Sequence, residues 1–246
     1  MIATQSEVLT GRMAILMNLL MLEKSQHVLE SVSDYTATFF KQERINGELT
    51  EGQLMELKMR HRPFSIYMKW LTGHKGRQVL YVEGQNENKM LVKFGGWKRR
   101  LPALKLDPNS SLAMAEARYP ITKVGMLELV REAVRYRQQD LQNLDKLRCI
   151  LTPDYDFEGY RCYAFTVEYT DPRYSKVYRK SIFLIDQNTY LPVAVKNYTW
   201  PDQVDQVDEK DPDGSTLVEF YAYTNVRLNQ RLADSEFDRK NKKYRF

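Results

Sequence analysis

Hydrophobic and polar residues alternate along most of this chain, and helical spacing interrupts the alternation twice. Over residues 34–100, apolar side chains recur at every second position in runs of strand length, separated by turn sequences such as NGELTEG and TGHKG. Because alternate residues of a strand share one face, the pattern predicts strands with a buried side. The short connections predict an antiparallel meander.

The N-terminal residues have a different spacing. Residues Glu7–Val32 are predicted to form a helix, because their leucines and valines fall on one broad face. The segment MAILMNLLML also resembles the apolar core of a signal peptide, but no small-residue cleavage site follows it. The run is far shorter than the ~20 apolar residues of a membrane span. We expect a core helix and no transmembrane segment; no export signal is visible, and the sequence leaves open whether one was removed.

The strand pattern stops a second time in the middle of the chain. Residues 110–145 read as a helical insertion, and strand patterns resume over residues 146–246. Without a dividing linker, we expect one domain over residues 1–246, with the N-terminal helix in 1–33 and the first strands in 34–100. The predicted class is α+β, mainly β: a curved antiparallel sheet of about ten strands, forming an incomplete barrel covered by the helical segments.

Composition and charge argue against a disordered protein and against a nucleic-acid partner. With 43% hydrophobic and 28% charged residues, the chain can bury a core and is not a disordered protein. The net charge of +5 is spread along the sequence, and the densest basic segments, GGWKRR and DRKNKKYRF, are too short for a nucleic-acid arm. We therefore expect no nucleic-acid partner.

No set of residues has the spacing of a catalytic or metal site. The sequence contains no nucleophile elbow, no Walker loop and no dinucleotide-binding glycine motif. The segment EKDPDGSTLVEF starts like a calcium loop, but Phe220 stands where the last ligand should be, and we interpret it as a hairpin turn. We expect no enzyme activity, no metal and no cofactor.

Cys149 and Cys162 flank a predicted strand–turn–strand segment. If the two strands pair so that these residues lie opposite each other, the sulfurs reach disulfide distance. In a reducing compartment both would be small buried hydrophobic residues. The sequence leaves both alternatives open.

Three methionines lie in the segment GQLMELKMRHRPFSIYMKWL, in two strand-like runs that meet at Arg62 and Pro63. We predict that they share one apolar face with residues of the following runs, while charged residues and Tyr67 occupy the other face. This face is either ordinary core or the wall of a lipid-sized cavity, because methionines and aromatic residues line surfaces that adapt to variable ligands. Its predicted residues are Met55, Leu57, Met59, Ile66, Met68, Trp70, Leu80, Val82, Met90, Val92 and Phe94.

Four segments resemble the outer-membrane lipoprotein carrier superfamily, and most closely an uncharacterised bacterial family within it. They are DYTATFFKQERINGELTEGQLMELKMRHRPFSIYMKWL, KGRQVLYVEGQNENKMLV, FLIDQNTYLPVAVKNYTW and EFYAYTNVRLNQRLADSEFDRKNKKYRF, which together make up roughly half of the chain. The most telling residues lie in the last segment: Asn229, Asp234, Phe237, Asn241, Tyr244 and Phe246.

The resemblance implies an incomplete antiparallel barrel whose apolar concave face receives the acyl chains of a lipoprotein in the periplasm. It also implies that Arg62, which precedes a proline at the end of an early strand, contacts lid helices and helps to hold them closed. The charged segment GGWKRRLPALKLDP and the helical insertion depart from the carrier pattern.

We therefore expect a monomeric, non-enzymatic protein that binds or transports a lipid or lipoprotein acyl chain in the periplasm or elsewhere in the bacterial cell envelope. The alternative is an envelope protein-interaction module, in which a filled core leaves no ligand cavity and the outer face binds a protein partner.

Overall fold

The computed structural model describes residues 8–244 and residue 246. The chain divides into two compact units, each built from two separate stretches of sequence. The first unit combines the residues up to Leu29 with Met126–Phe220, and the second combines Glu30–Gly125 with Tyr221–Phe246. The expectation of a single domain stays a prediction.

Strands dominate both units. The helices are α1 (Gly11–Glu30), α2 (Ser111–Met114), α3 (Met126–Leu141) and α4 (Pro212–Thr216). The strands are β1 (Leu9–Thr10), β2 (Asp34–Ile45), β3 (Glu48–Leu49), β4 (Gln53–Arg60), β5 (Ser65–Trp70), β6 (Gln78–Val82), β7 (Met90–Lys93), β8 (Leu104–Leu106), β9 (Leu147–Phe157), β10 (Tyr160–Tyr169), β11 (Lys180–Asp186), β12 (Pro192–Tyr198) and β13 (Leu217–Leu228).

In the first unit, the hydrogen-bonded strand order is β1-β9-β10-β11-β12, with β13 as the next neighbour. Strand β9 begins with a strict alternation in which Leu147, Cys149 and Leu151 are buried and the residues between them are exposed. This is the pattern of a strand with one face in a core. By contrast, Pro192–Val195 at the start of β12 are all buried, so both faces of that strand are covered there.

In the second unit the hydrogen-bonded order is β13-β2-β4-β5-β6-β7-β8, and β3 pairs with β2. Consecutive strands from β4 to β8 pair antiparallel, as the short turns between them require. Among the described residues, β1 is the terminal strand of the order in the first unit and β8 that in the second. The predicted class, α+β and mainly antiparallel β with an N-terminal and a mid-chain helix, is confirmed.

The helices differ from the prediction in their boundaries. Helix α1 spans Gly11–Glu30, within the predicted range, while Glu7 lies outside the described residues. The expectation of a hairpin turn in EKDPDGSTLVEF is wrong, because Pro212–Thr216 form the short helix α4 and Leu217–Phe220 begin β13. Its N-cap is Asp211, whose carboxylate accepts a hydrogen bond of 2.9 Å from the backbone N–H of Gly214, and Pro212 fits the first helical turn.

Candidate functional site

The apolar face predicted around Met55, Met59 and Met68, here called the methionine face, is present where strands β4 and β5 pair. Met55 lies opposite Trp70, Leu57 opposite Met68, and Met59 opposite Ile66. All six side chains are buried. The intervening residues of β4 are polar and mark the other side of the strand, which explains why sequence alternation assigned this part of the face correctly.

The face continues onto β6 and β7 through residues that the sequence did not single out. Val79 lies opposite Met68 and Tyr81 opposite Ile66, so both belong to the methionine face, and Val92 follows as the partner of Val79. The prediction for Leu80 and Val82 is wrong. Leu80 pairs with Tyr67 and Val82 with Ser65, which places both on the opposite side of the sheet.

The physical reason for this error is the composition of β6. Its sequence, QVLYV, carries four apolar residues in a row, so no polar residue marks the solvent side. A shift of one residue exchanges the two faces of a strand, and the apolar run fits either choice.

One end of the methionine face is filled by neighbouring residues of the same unit. The hydroxyl of Tyr35 on β2 donates a hydrogen bond of 3.0 Å to the sulfur of Met59. The backbone at Gly125 lies so close that a Cβ there would be 2.7 Å from the same sulfur. This end therefore has no space for a further group.

Solvent exposure differs slightly among the residues of the face. Met55 and Ile66 are 0% exposed, whereas Met68, Met90 and Val92 retain 7%, 8% and 9% of their surface. Phe94, directly after β7, is half-buried. The methionine face is therefore fully covered at Met55 and Ile66 and slightly less covered at Met68 and along β7.

The opposite side of β5–β7, here called the back face, is also apolar. A buried cluster is formed by Tyr67, Leu80, Val82 and Leu91 with Phe237 and Tyr244. The last two belong to residues 229–244, here called the C-terminal segment. The rings of Tyr67 and Tyr244 stack with centroids 3.9 Å apart and planes inclined by 13°. Tyr67 was predicted on a polar face; the C-terminal segment buries it instead.

Charged residues of β4 fasten the C-terminal segment over this cluster. The ammonium group of Lys58 pairs with the carboxylate of Glu236 and donates a hydrogen bond of 3.1 Å to the hydroxyl of Tyr244. Arg60 pairs with Asp234, and its guanidinium lies 4.9 Å from the centre of the Phe237 ring. The hydrogen bond from Lys58 lowers the pKa of Glu236.

The segment is also held by backbone groups where it leaves β13. Asp34 accepts the N–H of Asn229 on its carbonyl at 2.7 Å and the N–H of Leu232 on its carboxylate at 3.0 Å. The side-chain oxygen of Asn229 in turn accepts the N–H of Ser33 at 2.9 Å. Several residues that carried the resemblance, including Asn229, Phe237 and Tyr244, thus hold this segment in place.

Arg62, predicted to hold a lid, is exposed. Within residues 8–244 and 246, the structure gives its side chain neither a hydrogen bond nor an ion pair. Its role at a lid stays a prediction.

The strand register excludes the disulfide between Cys149 and Cys162. Cys149 on β9 lies opposite Val167 on β10, whereas Cys162 lies opposite Tyr155. Along β10, Cys162 is therefore five residues away from the position that faces Cys149. At ~3.3 Å per residue this offset is about 16 Å, far beyond disulfide reach. Both are free, buried thiols, and burial raises the pKa of Cys149 to about 11 and that of Cys162 to about 12.

The first unit contains a buried ion pair that sequence reasoning did not identify. Arg137 and Asp140 of α3 lie 2.8 Å apart, and the Asp140 carboxylate also accepts hydrogen bonds from the hydroxyls of Tyr169 and Tyr174 at 3.1 and 2.9 Å. Burial raises the pKa of Asp140, and the charge of Arg137 opposes that change. Each carboxylate oxygen therefore has a partner, as buried polar groups require, and these contacts link α3 to Tyr169 and Tyr174.

Two other kinds of site were sought in the described part of the chain. No group of three or more histidine, cysteine, aspartate or glutamate residues there could hold a metal ion. Among the helices of residues 8–244, none combines the length and the hydropathy that crossing a membrane requires.

Comparison with known proteins gives a family and several distant structural likenesses. The model of the family described as "Protein of unknown function (DUF1571)" matches residues 32–246. No curated protein matches the chain in sequence.

Three solved structures represent the structural likenesses. The lipoprotein LppX of Mycobacterium tuberculosis is 10% identical, with a TM-score of 0.48, and the alignment covers 91% of this chain and 99% of that chain. A LolA superfamily protein of Nitrosomonas europaea is 11% identical, with a TM-score of 0.33, and the alignment covers 89% of this chain and 96% of that chain. The MucA/MucB complex of Pseudomonas aeruginosa is 14% identical, with a TM-score of 0.47, and the alignment covers 90% of this chain and 60% of that chain. All three TM-scores lie below 0.5, and we base no functional conclusion on them.

Proposed function

The chain belongs to the DUF1571 family of proteins of unknown function, and on that premise we propose that its methionine face binds an acyl chain of a lipid or lipoprotein. The role is binding or transport, without chemistry on the ligand. The observation that carries the proposal is the uneven cover of this face, which is sealed at Met59 and retains exposure at Met68, Met90 and Val92.

The side chains of the methionine face suit a variable apolar ligand. Met55, Met68 and Met90 are unbranched, with several rotatable bonds and polarisable sulfurs, so they can repack around chains of different length. Each methylene transferred from water to such a surface contributes about 0.8 kcal/mol. An acyl chain of ordinary length therefore needs no specific polar contact.

The gradient of exposure supports a direction of entry. The contacts of Met59 with Tyr35 and Gly125 leave no room near β2, whereas Met68 on β5 and Met90 and Val92 on β7 keep a small accessible surface. We place the entry of the acyl chain along β5 and β7, with Phe94 beside it. The back face is not a candidate, because the C-terminal segment covers it.

The experiment compares deletions of similar size on the two faces. Met68→Ala and Leu80→Ala each remove a buried side chain from neighbouring strands, and both should destabilise the fold by about 2–5 kcal/mol. Met68→Ala should weaken binding of a fluorescent fatty-acyl probe, whereas Leu80→Ala should not. Two further variants of the methionine face, Met68→Glu and Trp70→Asp, should abolish binding.

A wild-type protein that binds no apolar probe, and from which native mass spectrometry and solvent extraction recover no lipid, would contradict the proposal. So would an equal loss of probe binding in Met68→Ala and Leu80→Ala at equal stability.

The place of action that we propose is the bacterial cell envelope. Its support is the resemblance of four sequence segments to lipoprotein carriers, which act in the periplasm. Fractionation of cells that produce the natural protein tests this, and recovery in the cytoplasm would contradict it.

A second candidate function is a protein-interaction module with a filled core. The complete burial of Met55, Met59 and Ile66, together with the hydrogen bond between Tyr35 and Met59, favours it. In that case the outer surface binds an envelope protein, and the wild type takes up no apolar probe.

A further inference from the structure

The connection between β7 and β8 presents an exposed tryptophan beside a run of cations. It contains a short 3-10 helix, Gly96–Arg100, with the sequence GWKRR. The indole of Trp97 is 83% exposed, and no other large hydrophobic side chain in the described part of the chain is as accessible. Leu101 follows at the end of the turn and is also exposed. Indole rings concentrate where an apolar phase meets water, because one end is apolar and the other carries an N–H donor.

Three cations follow Trp97 directly in the sequence. Lys98, Arg99 and Arg100 are all exposed, and the structure gives none of them an ion pair with a residue in 8–244 or 246. Only Lys98 has a charge-related contact, with its ammonium 5.4 Å from the centre of the neighbouring Trp97 ring. A large apolar ring and three free cations on one turn match a surface that is both apolar and anionic.

A basic cleft adjoins this turn within the same unit. It has a volume of about 440 Å³, and no carboxylate side chain lines it. Its walls combine cations with apolar groups: Leu91, Lys93, Arg100, Leu101, Pro102, Ala103, Lys105, Arg239 and Phe246. Lys105 is 3.8 Å from Glu87, which is the one ion pair found for these cations within the described residues.

The backbone fixes the position of the turn. A Cβ at Gly95 would lie 2.2 Å from the carbonyl oxygen of Lys75 and 2.7 Å from the backbone nitrogen of Arg77, so only glycine fits there. The turn is therefore held against the connection between β5 and β6, and Trp97 projects from a defined site.

We propose that this turn and cleft form a docking surface for a bilayer that contains anionic phospholipid. Trp97 lies at the boundary between headgroups and acyl chains, Lys98 and Arg99 face the anionic surface, and Arg100 with Lys93, Lys105 and Arg239 surrounds a headgroup phosphate. An anionic bilayer complements this surface in charge and polarity. Exposed cations follow an exposed indole, and the adjoining cleft has cationic and apolar walls. The proposal goes beyond acyl-chain binding and does not depend on it, because the two use different residues.

The test measures sedimentation of the purified chain with vesicles of phosphatidylcholine alone and of phosphatidylcholine with about one-third phosphatidylglycerol. We expect binding to the anionic vesicles only. The triple variant Lys98→Ser, Arg99→Ser, Arg100→Ser should bind on the order of 100-fold more weakly, at about five-fold per cation near an anionic surface. Trp97→Ala should weaken binding on the order of ten-fold, because the interfacial indole is lost.

Matched variants separate docking from net charge and from general hydrophobicity. The variant Lys176→Ser, Lys210→Ser, Arg231→Ser removes three exposed cations elsewhere and should bind like the wild type. Leu112→Ala removes a side chain that is 60% exposed outside the turn and should also bind normally. All these positions are exposed, so thermal unfolding should be unchanged in every variant.

Either of two results would overturn the proposal. One is a wild type that does not sediment with anionic vesicles, which would show that the turn does not dock on such a bilayer. The other is an equal loss of binding in the two triple variants, which would show non-specific attraction. Both results leave acyl-chain binding untouched, since the fluorescent probe reports on that function separately.

Discussion

The methionine face and the back face of strands β4–β7 are both buried, but they are covered in different ways. The methionine face has sulfur atoms and aliphatic groups, and its cover thins toward β7. The back face has stacked tyrosines, ion pairs and a dedicated C-terminal segment. A face whose cover is fixed by directional contacts is suited to stability. A face of flexible side chains with less cover is suited to accepting a ligand.

The largest effect should come from removing the aromatic anchor of the back face. Phe237 is buried against Leu80, Val82 and Leu91, so Phe237→Ala should lower the free energy of unfolding by about 3–5 kcal/mol. Urea denaturation followed by circular dichroism measures this. Unchanged stability would show that the C-terminal segment is not part of the folded core.

Acyl-probe binding of Phe237→Ala sharpens the comparison between the two faces. At temperatures where this variant remains folded, it should bind the fluorescent probe like the wild type, because Phe237 does not belong to the methionine face. A proportionate loss of binding would mean that the two faces do not act separately.

Substitution of a methionine by leucine should separate packing from adaptability. Met68→Leu keeps the volume approximately constant, so the free energy of unfolding should change by less than about 1.5 kcal/mol. Because leucine is branched and has fewer rotatable bonds, affinity should fall more for probes of unusual length than for the best-fitting probe. A fluorescence titration with a series of chain lengths measures this, and the same substitution at the sealed position, Met59→Leu, serves as its control. A uniform change across the series would argue against adaptable walls.

The ion pair over the back face should make stability depend on pH. Lys58 lowers the pKa of Glu236 below its ordinary value of 4.5. The folded protein therefore holds this carboxylate ionised more strongly than the unfolded chain does. The resulting stabilisation is complete above the ordinary pKa and is lost as the pH falls through the lowered value.

Thermal unfolding between pH 3 and 7 measures the effect against Glu236→Gln. The variant should be less stable than the wild type at neutral pH, by about 1 kcal/mol or less for a pair with partial solvent contact, and the difference should vanish toward acid. A difference that stays constant over the range would mean that the ion pair does not contribute.

The smallest effect should come from reductant. Cys149 and Cys162 are free and lie apart in the register, so dithiothreitol should not change the melting temperature. Because both thiols are buried and their pKa values are raised to about 11 and about 12, maleimide should label them only after unfolding. Rapid labelling of the native protein, or a lower melting temperature in reductant, would contradict the assigned register.

The sequence supported more of the fold than of the site. Alternation on β4 and β5 placed Met55, Leu57 and Met68 correctly, because polar residues between them mark the other side. The prediction of an uncharacterised family was confirmed by the match over residues 32–246. The same reasoning failed for Leu80 and Val82, since β6 has no such marker.

What the sequence by itself determined was therefore local: strand length, the sides of strands with mixed polarity, and helices with apolar spacing. The cover of each face was decided only in the tertiary structure, because Lys58 meets Glu236, and Tyr67 meets Tyr244, across more than 170 residues. The register of Cys149 and Cys162 was likewise fixed by pairing along β9 and β10. Periodicity describes the neighbours of a residue along the chain, whereas burial depends on which distant segment folds against it.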